Sequence, residues 1–180
     1  MLAPQAKLWP ASTKVATAAL NLLAIKHDDI LVDFGSGNGI SLILAVQSFD
    51  ARKAIGYEIH NERAEESQKL IFDLGLSSRI TIYNANALDA DVEKEDITCV
   101  YLYLVSRGLA MLKPKLKKIA VRLGRPLRIV SILYPIPEWT FIKSERCYTS
   151  EITYTPMFLY EISNNTDADA DTDTKRHVAL

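Results

Sequence analysis

The sequence predicts an α/β fold in which a mostly parallel sheet carries helices on both faces. Five runs rich in β-branched and aromatic residues alternate with stretches of helical periodicity along the chain. Two further apolar runs follow near the end with no helix between them. Because strands that alternate with helices form right-handed βαβ units, the pattern indicates a Rossmann-like, doubly wound domain with an antiparallel strand pair at one edge.

The predicted elements follow one another in a regular order. An opening helix begins after Pro10, with Ser12 or Thr13 as its N-cap. The five predicted strands are Ile30–Phe34, Lys53–Ile59, Arg79–Asn84, Ile97–Leu104 and Leu127–Leu133. The helices between them are Ile40–Ser48, Glu62–Leu74 and Pro114–Leu123, the last with Pro114 in its first turn. Residues Ile152–Tyr154 and Met157–Ile162 are predicted to form the antiparallel pair.

Length and composition limit the number of domains and the class of partner. The chain has 180 residues, 48% of them hydrophobic, and a net charge of -1. We therefore expect one globular domain over residues 1–162 and no polycationic surface of the kind that coats nucleic acid. Residues 163–180 are dominated by Asn, Thr, Asp and Ala, which predicts a disordered acidic tail. We expect an intracellular, cytoplasmic protein without a metal site, with mitochondria as the alternative compartment.

A strand that runs into a glycine loop is the strongest local signal, LVDFGSGNG over residues 31–39. A dinucleotide-binding fingerprint would need a further glycine where this chain has Ile40. Asp33 precedes the loop, and a carboxylate there repels a pyrophosphate but suits the sulfonium and ammonium groups of S-adenosylmethionine. The alternative is a tight turn in which Asp33 only accepts backbone hydrogen bonds. The predicted cofactor-binding residues of this segment are Asp33, Gly35, Ser36, Gly37 and Gly39.

Two polar residues follow the next two predicted strands. Glu58 ends the second strand, roughly 20 residues after the loop, which is the spacing at which doubly wound folds place a carboxylate over a ribose. Asn86 follows the third strand and could hydrogen-bond the edge of an adenine. The alternatives are a surface glutamate for Glu58 and an Asn-rich turn without a ligand for Asn86.

Together these segments resemble the class I, or seven-strand, methyltransferases, and more narrowly the small protein-lysine methyltransferases of archaea and mitochondria. The resemblance covers about Trp9 to Ile162. Its further parts are WPASTK at 9–14, GYE at 56–58, LKPKL at 112–116 and YPIPEW at 134–139. The opening Pro-Ala-x-Thr and the Pro-x-Pro-x-Trp segment point to this subgroup, since the glycine loop is common to the whole superfamily.

The resemblance implies transfer of a methyl group from S-adenosylmethionine to a lysine side chain of a protein substrate. The mitochondrial members act on the adenine nucleotide translocase and the ATP synthase c-subunit, so we expect a protein partner with an accessible lysine and no nucleic acid. Asn38 and Asn86 stand where the family usually has Asp, and Ile40 where it often has Arg. The two lost negative charges predict weaker cofactor binding than is usual in the family.

Aromatic residues after the fourth and fifth predicted strands are candidates for a channel that admits the lysine. An apolar channel would favour the neutral amine that methyl transfer requires. The alternative is that these aromatic side chains are ordinary core, which we favour for Tyr101. No general base is predicted. The substrate-channel candidates are Tyr103, Tyr134, Pro135 and Trp139.

The stretch from Ser106 to Pro137 is rich in Lys and Arg and contains no acidic residue. It predicts either a solvated helix face or a surface that steers the enzyme towards an acidic protein or makes peripheral contact with an anionic membrane. Three functional alternatives remain: a nicotinamide-dependent oxidoreductase, a small-molecule methyltransferase and a catalytically silent cofactor-binding module. The sequence does not predict an oligomeric state.

Overall fold

A seven-stranded sheet organises the part of the chain that the computed structural model describes, residues 12–93 and 95–163. The strands are β1 (Ile30–Phe34), β2 (Lys53–Glu58), β3 (Ile80–Asn84), β4 (Cys99–Leu102), β5 (Leu127–Ile132), β6 (Lys143–Tyr148) and β7 (Tyr154–Ile162). The helices are α1 (Thr13–Leu22), α2 (Ile40–Gln47), α3 (Asn61–Asp73) and α4 (Ser106–Leu123), with a short 3₁₀ turn at Ala87–Asp89.

The strand order is β3-β2-β1-β4-β5-β7-β6. Strands β1 to β5 pair in parallel, and β7 lies antiparallel between β5 and β6. The predicted fold class, a mostly parallel Rossmann-like sheet with an antiparallel pair at its edge, is confirmed. The order reverses between β1 and β4, and a crevice forms beyond the carboxyl ends of strands at such a point.

Apolar side chains fill both faces of the sheet. Leu31 of β1 belongs to a first core cluster, which also contains buried residues of α1, α2 and α3. Its neighbour Val32 points to the opposite face and belongs to a second cluster, which includes Leu109, Leu112 and Leu116 of α4. Alternate burial on two covered faces explains why the parallel strands read as nearly continuous apolar runs.

The start of α1 follows the prediction. Ser12 is the N-cap, and its side-chain oxygen accepts a hydrogen bond from the backbone N–H of Val15 at 3.3 Å. Such a bond satisfies one of the amide groups that the first helical turn leaves without an intrahelical partner.

The predicted position of Pro114 in a first helical turn is wrong. Helix α4 begins at Ser106, so Pro114 lies in its interior. The helix tolerates it because Pro114 and Ala110 are both exposed. The N–H that proline lacks would have bonded to the Ala110 carbonyl, and an exposed carbonyl can be solvated instead.

The predicted bounds of the antiparallel pair are also wrong. Ile152 lies in the connection between the two strands and is 91% exposed, while the first strand of the pair is Lys143–Tyr148. That edge strand buries only Cys147, so its sequence lacks the apolar alternation that reveals a strand.

Neither the predicted tail nor the boundary at residue 162 is tested, because residues 164–180 lie outside the described residues. None of the described helices is both long enough and apolar enough to cross a bilayer. Both cysteines, Cys99 and Cys147, are buried free thiols.

Replacing Pro114 by alanine should raise the free energy of unfolding by about 1–3 kcal/mol, since the helix regains a backbone donor and loses a steric clash. Urea denaturation measures the change. Val121→Ala, at a position of the same helix that is 60% exposed, is the control and should shift stability by about 0.5 kcal/mol or less. A loss of stability in Pro114→Ala would mean that α4 needs the bend that proline imposes.

Candidate active site

The carboxyl ends of β2, β1 and β4 lie side by side at one end of the sheet, because these neighbouring strands are parallel. The glycine loop leaves β1 at this end of the sheet and leads into α2. The strand order reverses between β1 and β4, so the ligand crevice of the fold is expected beyond the carboxyl ends of these strands.

Three glycines give the loop its shape. Gly35, Gly37 and Gly39 have φ values of +99°, +53° and +75°, a region that residues with a Cβ rarely adopt. Gly39 is the N-cap of α2. The loop is fixed to β2 because the backbone N–H groups of Gly35 and Ser36 both donate to the carbonyl of Tyr57, at 2.8 and 3.1 Å.

Gly56 of β2 allows the loop to approach this closely. It lies directly opposite Asp33 in the strand register. A Cβ at Gly56 would lie 2.6 Å from Ser36 Oγ and 2.7 Å from Leu42 Cδ1, too close for either neighbour to remain in place. The sequence analysis assigned Gly56 no role of its own, although a glycine inside a strand indicates close approach of another segment.

The carboxylate of Glu58 connects the glycine loop to the turn between β2 and α3. The side chain is only 4% exposed. One oxygen accepts from the N–H of Gly37 and the other from the N–H of His60, both at 2.9 Å. The predicted ribose-binding residue and the glycine loop therefore lie in direct contact.

Asn86 lies past the end of β3, where its side-chain oxygen caps the short 3₁₀ turn by accepting from the N–H of Leu88 at 3.1 Å. The main-chain carbonyl of Glu58 accepts from the Ala85 N–H and from the Asn84 side-chain amide, both at 3.0 Å. Asn84, which the sequence analysis did not single out, thereby ties the turn that carries Asn86 to the end of β2.

Asp33 is a buried carboxyl beneath the loop, 3% exposed, and it accepts a hydrogen bond from the Ser41 hydroxyl. Burial raises the pKa of Asp33 from its ordinary value of 3.8 to about 7; the Ser41 hydrogen bond opposes this rise and the charge of Glu58 adds to it. A cation placed beside Asp33 would reverse the effect of burial and stabilise the ionised form.

These residues fit S-adenosylmethionine, which brings a positive charge and several hydrogen-bonding groups. Asp33 supplies a buried carboxyl. The hydroxyls of Ser36 and Tyr101 are buried and have no hydrogen-bond partner among the described residues. A group buried without a partner is uncommon in folded proteins and calls for an explanation, of which a ligand is one.

The channel candidates Tyr103, Tyr134 and Pro135 lie at the carboxyl ends of β4 and β5. Tyr134 is 40% exposed and Tyr103 is half-buried. Burial raises the pKa of Tyr103, and the neighbouring Tyr134 adds to the rise. Leu133, just before Tyr134, has a φ of +73°, and strained backbone of this kind collects at functional sites.

The structure places Trp139, the remaining channel candidate, in the core. The indole is 6% exposed and belongs to the second core cluster, where its ring packs against Tyr160 at 6.3 Å. Tyr103 packs against the first cluster, on the opposite face of the sheet. Trp139 therefore anchors its loop in the core, on the face of the sheet opposite Tyr103. Tyr101 is a core residue, 2% exposed, as the sequence analysis favoured.

Comparison with known proteins places the chain in a family. A family model described as the ANTKMT methyltransferase domain matches residues 33–143. A protein-lysine N-methyltransferase of Saccharolobus islandicus (strain REY15A) is 30% identical over 162 residues, which is 90% of this chain and 97% of that protein. The chain belongs to the ANTKMT methyltransferase domain family. The resemblance inferred from the sequence is confirmed.

Solved structures show the same fold. The RNA methyltransferase from Salinibacter ruber in complex with S-adenosyl-L-homocysteine aligns with a TM-score of 0.77 at 23% identity, over 91% of this chain and 99% of that one. M. capricolum TrmK with S-adenosyl-homocysteine aligns with a TM-score of 0.62 at 18% identity, over 81% of this chain and 67% of that one. At these identities the likeness concerns the fold alone. This methyltransferase uses S-adenosylmethionine, as predicted, and the nicotinamide alternative is wrong.

The raised pKa of Asp33 has opposite consequences for stability and for ligand binding. As pH rises from about 4 to 7, the unfolded chain loses this proton first, so ionisation of Asp33 lowers the stability of the ligand-free protein over that window. A ligand cation favours the carboxylate, so affinity for the ligand should rise over pH 6 to 7.5 as Asp33 ionises.

Calorimetric titration with S-adenosylhomocysteine should give a dissociation constant several-fold lower at pH 7.5 than at pH 6. Asp33→Asn keeps the shape of the side chain but carries no charge, so it should bind more weakly with a flat pH profile. The same variant should melt several degrees higher without ligand, since it buries no ionisable group. An unchanged pH profile in Asp33→Asn would remove Asp33 from the ligand site.

Proposed function

We propose that this methyltransferase transfers a methyl group from S-adenosylmethionine to a lysine side chain of a protein substrate. The observation that carries the proposal is that half-buried Tyr103 and exposed Tyr134 follow the carboxyl ends of the neighbouring parallel strands β4 and β5, at the same end of the sheet as the glycine loop. Two tyrosine rings at this end of the sheet would pack against the aliphatic stem of a lysine. The S. islandicus relative, named as a protein-lysine N-methyltransferase, supports the same acceptor.

The residues around the glycine loop would hold the methyl donor. We assign Glu58 to the ribose hydroxyls and Asn86 to the adenine edge, because they follow neighbouring strands. Asp33 would face the ammonium group, and the loop from Gly35 to Gly39 would bring backbone close to the donor. When bound, S-adenosylmethionine supplies an electrophilic methyl group, so the protein needs to orient the acceptor and exclude water.

The acceptor amine must be neutral before it can attack. An unperturbed lysine is neutral at pH 7 only about one time in 2,500, which corresponds to roughly 4–5 kcal/mol. Burial between Tyr103, Tyr134 and Pro135 would lower the pKa of the incoming lysine by desolvation. The proton then leaves to water or to a nearby oxygen before the lysine is fully enclosed.

The proposal does not extend to a membrane surface. Among the basic residues of α4, the Lys115 ammonium donates to the carbonyl of Ala90 and Lys118 pairs with Glu93. The Arg122 guanidinium donates to the carbonyl of Glu95. The acidic residues before β4, Glu93, Glu95 and Asp96, therefore lie against this helix. Glu93 and Asp96 partly offset the charges of Lys118 and Arg122, which weakens the case for recruitment to an anionic membrane.

Incubation with labelled S-adenosylmethionine and cell protein should place the label on lysine side chains, as identified by mass spectrometry. The initial rate should increase between about pH 7 and pH 9, because more of the acceptor amine is neutral. The Glu58→Ala variant is the control and should lose most of the labelling with its cofactor affinity. Label found only in small molecules or nucleic acid would contradict the lysine proposal.

Truncation of a channel residue separates substrate positioning from cofactor binding. Tyr134→Ala should reduce kcat/KM for the protein substrate by about tenfold, since the lysine stem loses an aromatic contact. Affinity for S-adenosylhomocysteine should stay within about twofold. The control is Phe72→Ala, which should leave both constants unchanged. Phe72 is 74% exposed and lies near the end of α3, away from the carboxyl ends of the strands. Equal losses in the two variants would argue against a channel at Tyr134.

A further inference from the structure

Tyr101 carries a buried hydroxyl that the fold does not use. The residue lies in β4, its side chain is 2% exposed, and its hydroxyl has no hydrogen-bond partner among the described residues. Tyr160 shows the usual arrangement: it is 1% exposed, and its hydroxyl accepts from the N–H of Ile136 at 2.8 Å. Leaving a phenol buried without a partner lowers stability, so Tyr101 is not explained by packing alone.

Tyr101 lies next to Asp33 in the sheet. The two residues are direct partners in the parallel register of β1 and β4, and partners of this kind point to the same face. Ser41 donates to one oxygen of the Asp33 carboxyl. A carboxyl that accepts and a phenol that donates therefore stand side by side where the sheet meets the glycine loop.

The proposed placement of the donor brings its amino-acid end to this pair. Adenine over β3 and ribose over β2 fix the direction of the molecule across the sheet. Because adenine and the sulfonium arm leave the ribose from opposite sides, the arm must extend over β1 and β4. Neighbouring strands are about 4.8 Å apart, so the ammonium and carboxylate groups of one amino acid match the separation of two adjacent strands.

We propose that Tyr101 binds the amino-acid end of S-adenosylmethionine, with its hydroxyl donating to the α-carboxylate directly or through one ordered water. Asp33 accepts from the ammonium group beside it. The inference rests on the placement of Glu58 and Asn86 under the proposed function, but not on the identity of the methyl acceptor. In this arrangement the bound cofactor provides the hydrogen-bond partner that the Tyr101 hydroxyl otherwise lacks.

Two ligands separate this role from a structural one. S-adenosylhomocysteine has the amino-acid end, whereas 5′-methylthioadenosine keeps the adenosine and the sulfur but lacks the ammonium and carboxylate groups. Calorimetric titration at pH 7.5 should show Tyr101→Phe binding S-adenosylhomocysteine about 5- to 10-fold more weakly than the unaltered protein. Its affinity for 5′-methylthioadenosine should change by less than about twofold.

The matched control is Tyr160→Phe, which removes the hydroxyl of another buried tyrosine. It should lower the Tm, because the Ile136 N–H loses its partner, and leave the ratio of the two affinities unchanged. Tyr101→Phe should keep or raise the Tm. Equal losses for both ligands in Tyr101→Phe, or no loss for either, would overturn the proposal. Neither result depends on lysine methylation, so the two proposals fail independently.

Discussion

The close contact between the glycine loop and β2 is the constraint on which the whole site depends. Gly56 leaves room for Ser36, and the carbonyl of Tyr57 accepts two N–H groups from the loop. From α3, the Ser67 hydroxyl donates to the carbonyl of Gly37 at 2.7 Å. Strand, helix and carboxylate thus hold one short segment from several sides, and the loop has its shape before any ligand contributes contacts.

Several polar groups of the site are buried at a cost in folding stability, and the packing of the rest of the domain offsets that cost. Asp33 is a carboxyl buried among apolar side chains, and the hydroxyls of Ser36 and Tyr101 are buried without partners. Two well-filled clusters on either side of the sheet supply the opposing stability. Local departures from good packing and polar pairing are expected where a ligand later completes the arrangement.

The sequence predicted the parts of the molecule that are governed by burial. β1 and β5 are covered on both faces, so their apolar runs stood out. β6 was missed because an edge strand that buries one residue has no pattern to detect. The start of α4 was predicted wrongly because proline is enriched in the first turn of helices. Only the three-dimensional packing shows that Pro114 lies on the solvent side of α4.

The same distinction applies within the site. The positions of Asp33 and Glu58 beside the glycine loop were predictable, because a carboxylate at the end of a strand follows from topology and spacing. Trp139 was ambiguous, since an aromatic after β5 suits a channel and a core equally well. Which face of the sheet it occupies is decided by packing against Tyr160, a residue far along the chain. The position of Tyr101 beside Asp33 needed strand register, which no local pattern supplies, whereas Gly56 carried a local signal as a glycine inside a strand.

The pairing of α4 with the acidic segment before β4 has a consequence for the kinetics of encounter. Lys118 and Glu93 are in contact, so their fields cancel within a few ångströms of the surface. Long-range attraction, which accelerates the association of oppositely charged proteins and fades with salt, requires unbalanced charge. The ion pair therefore leaves α4 with less long-range attraction for an acidic substrate than its lysine and arginine residues alone would give, and it makes the rate of encounter less sensitive to salt.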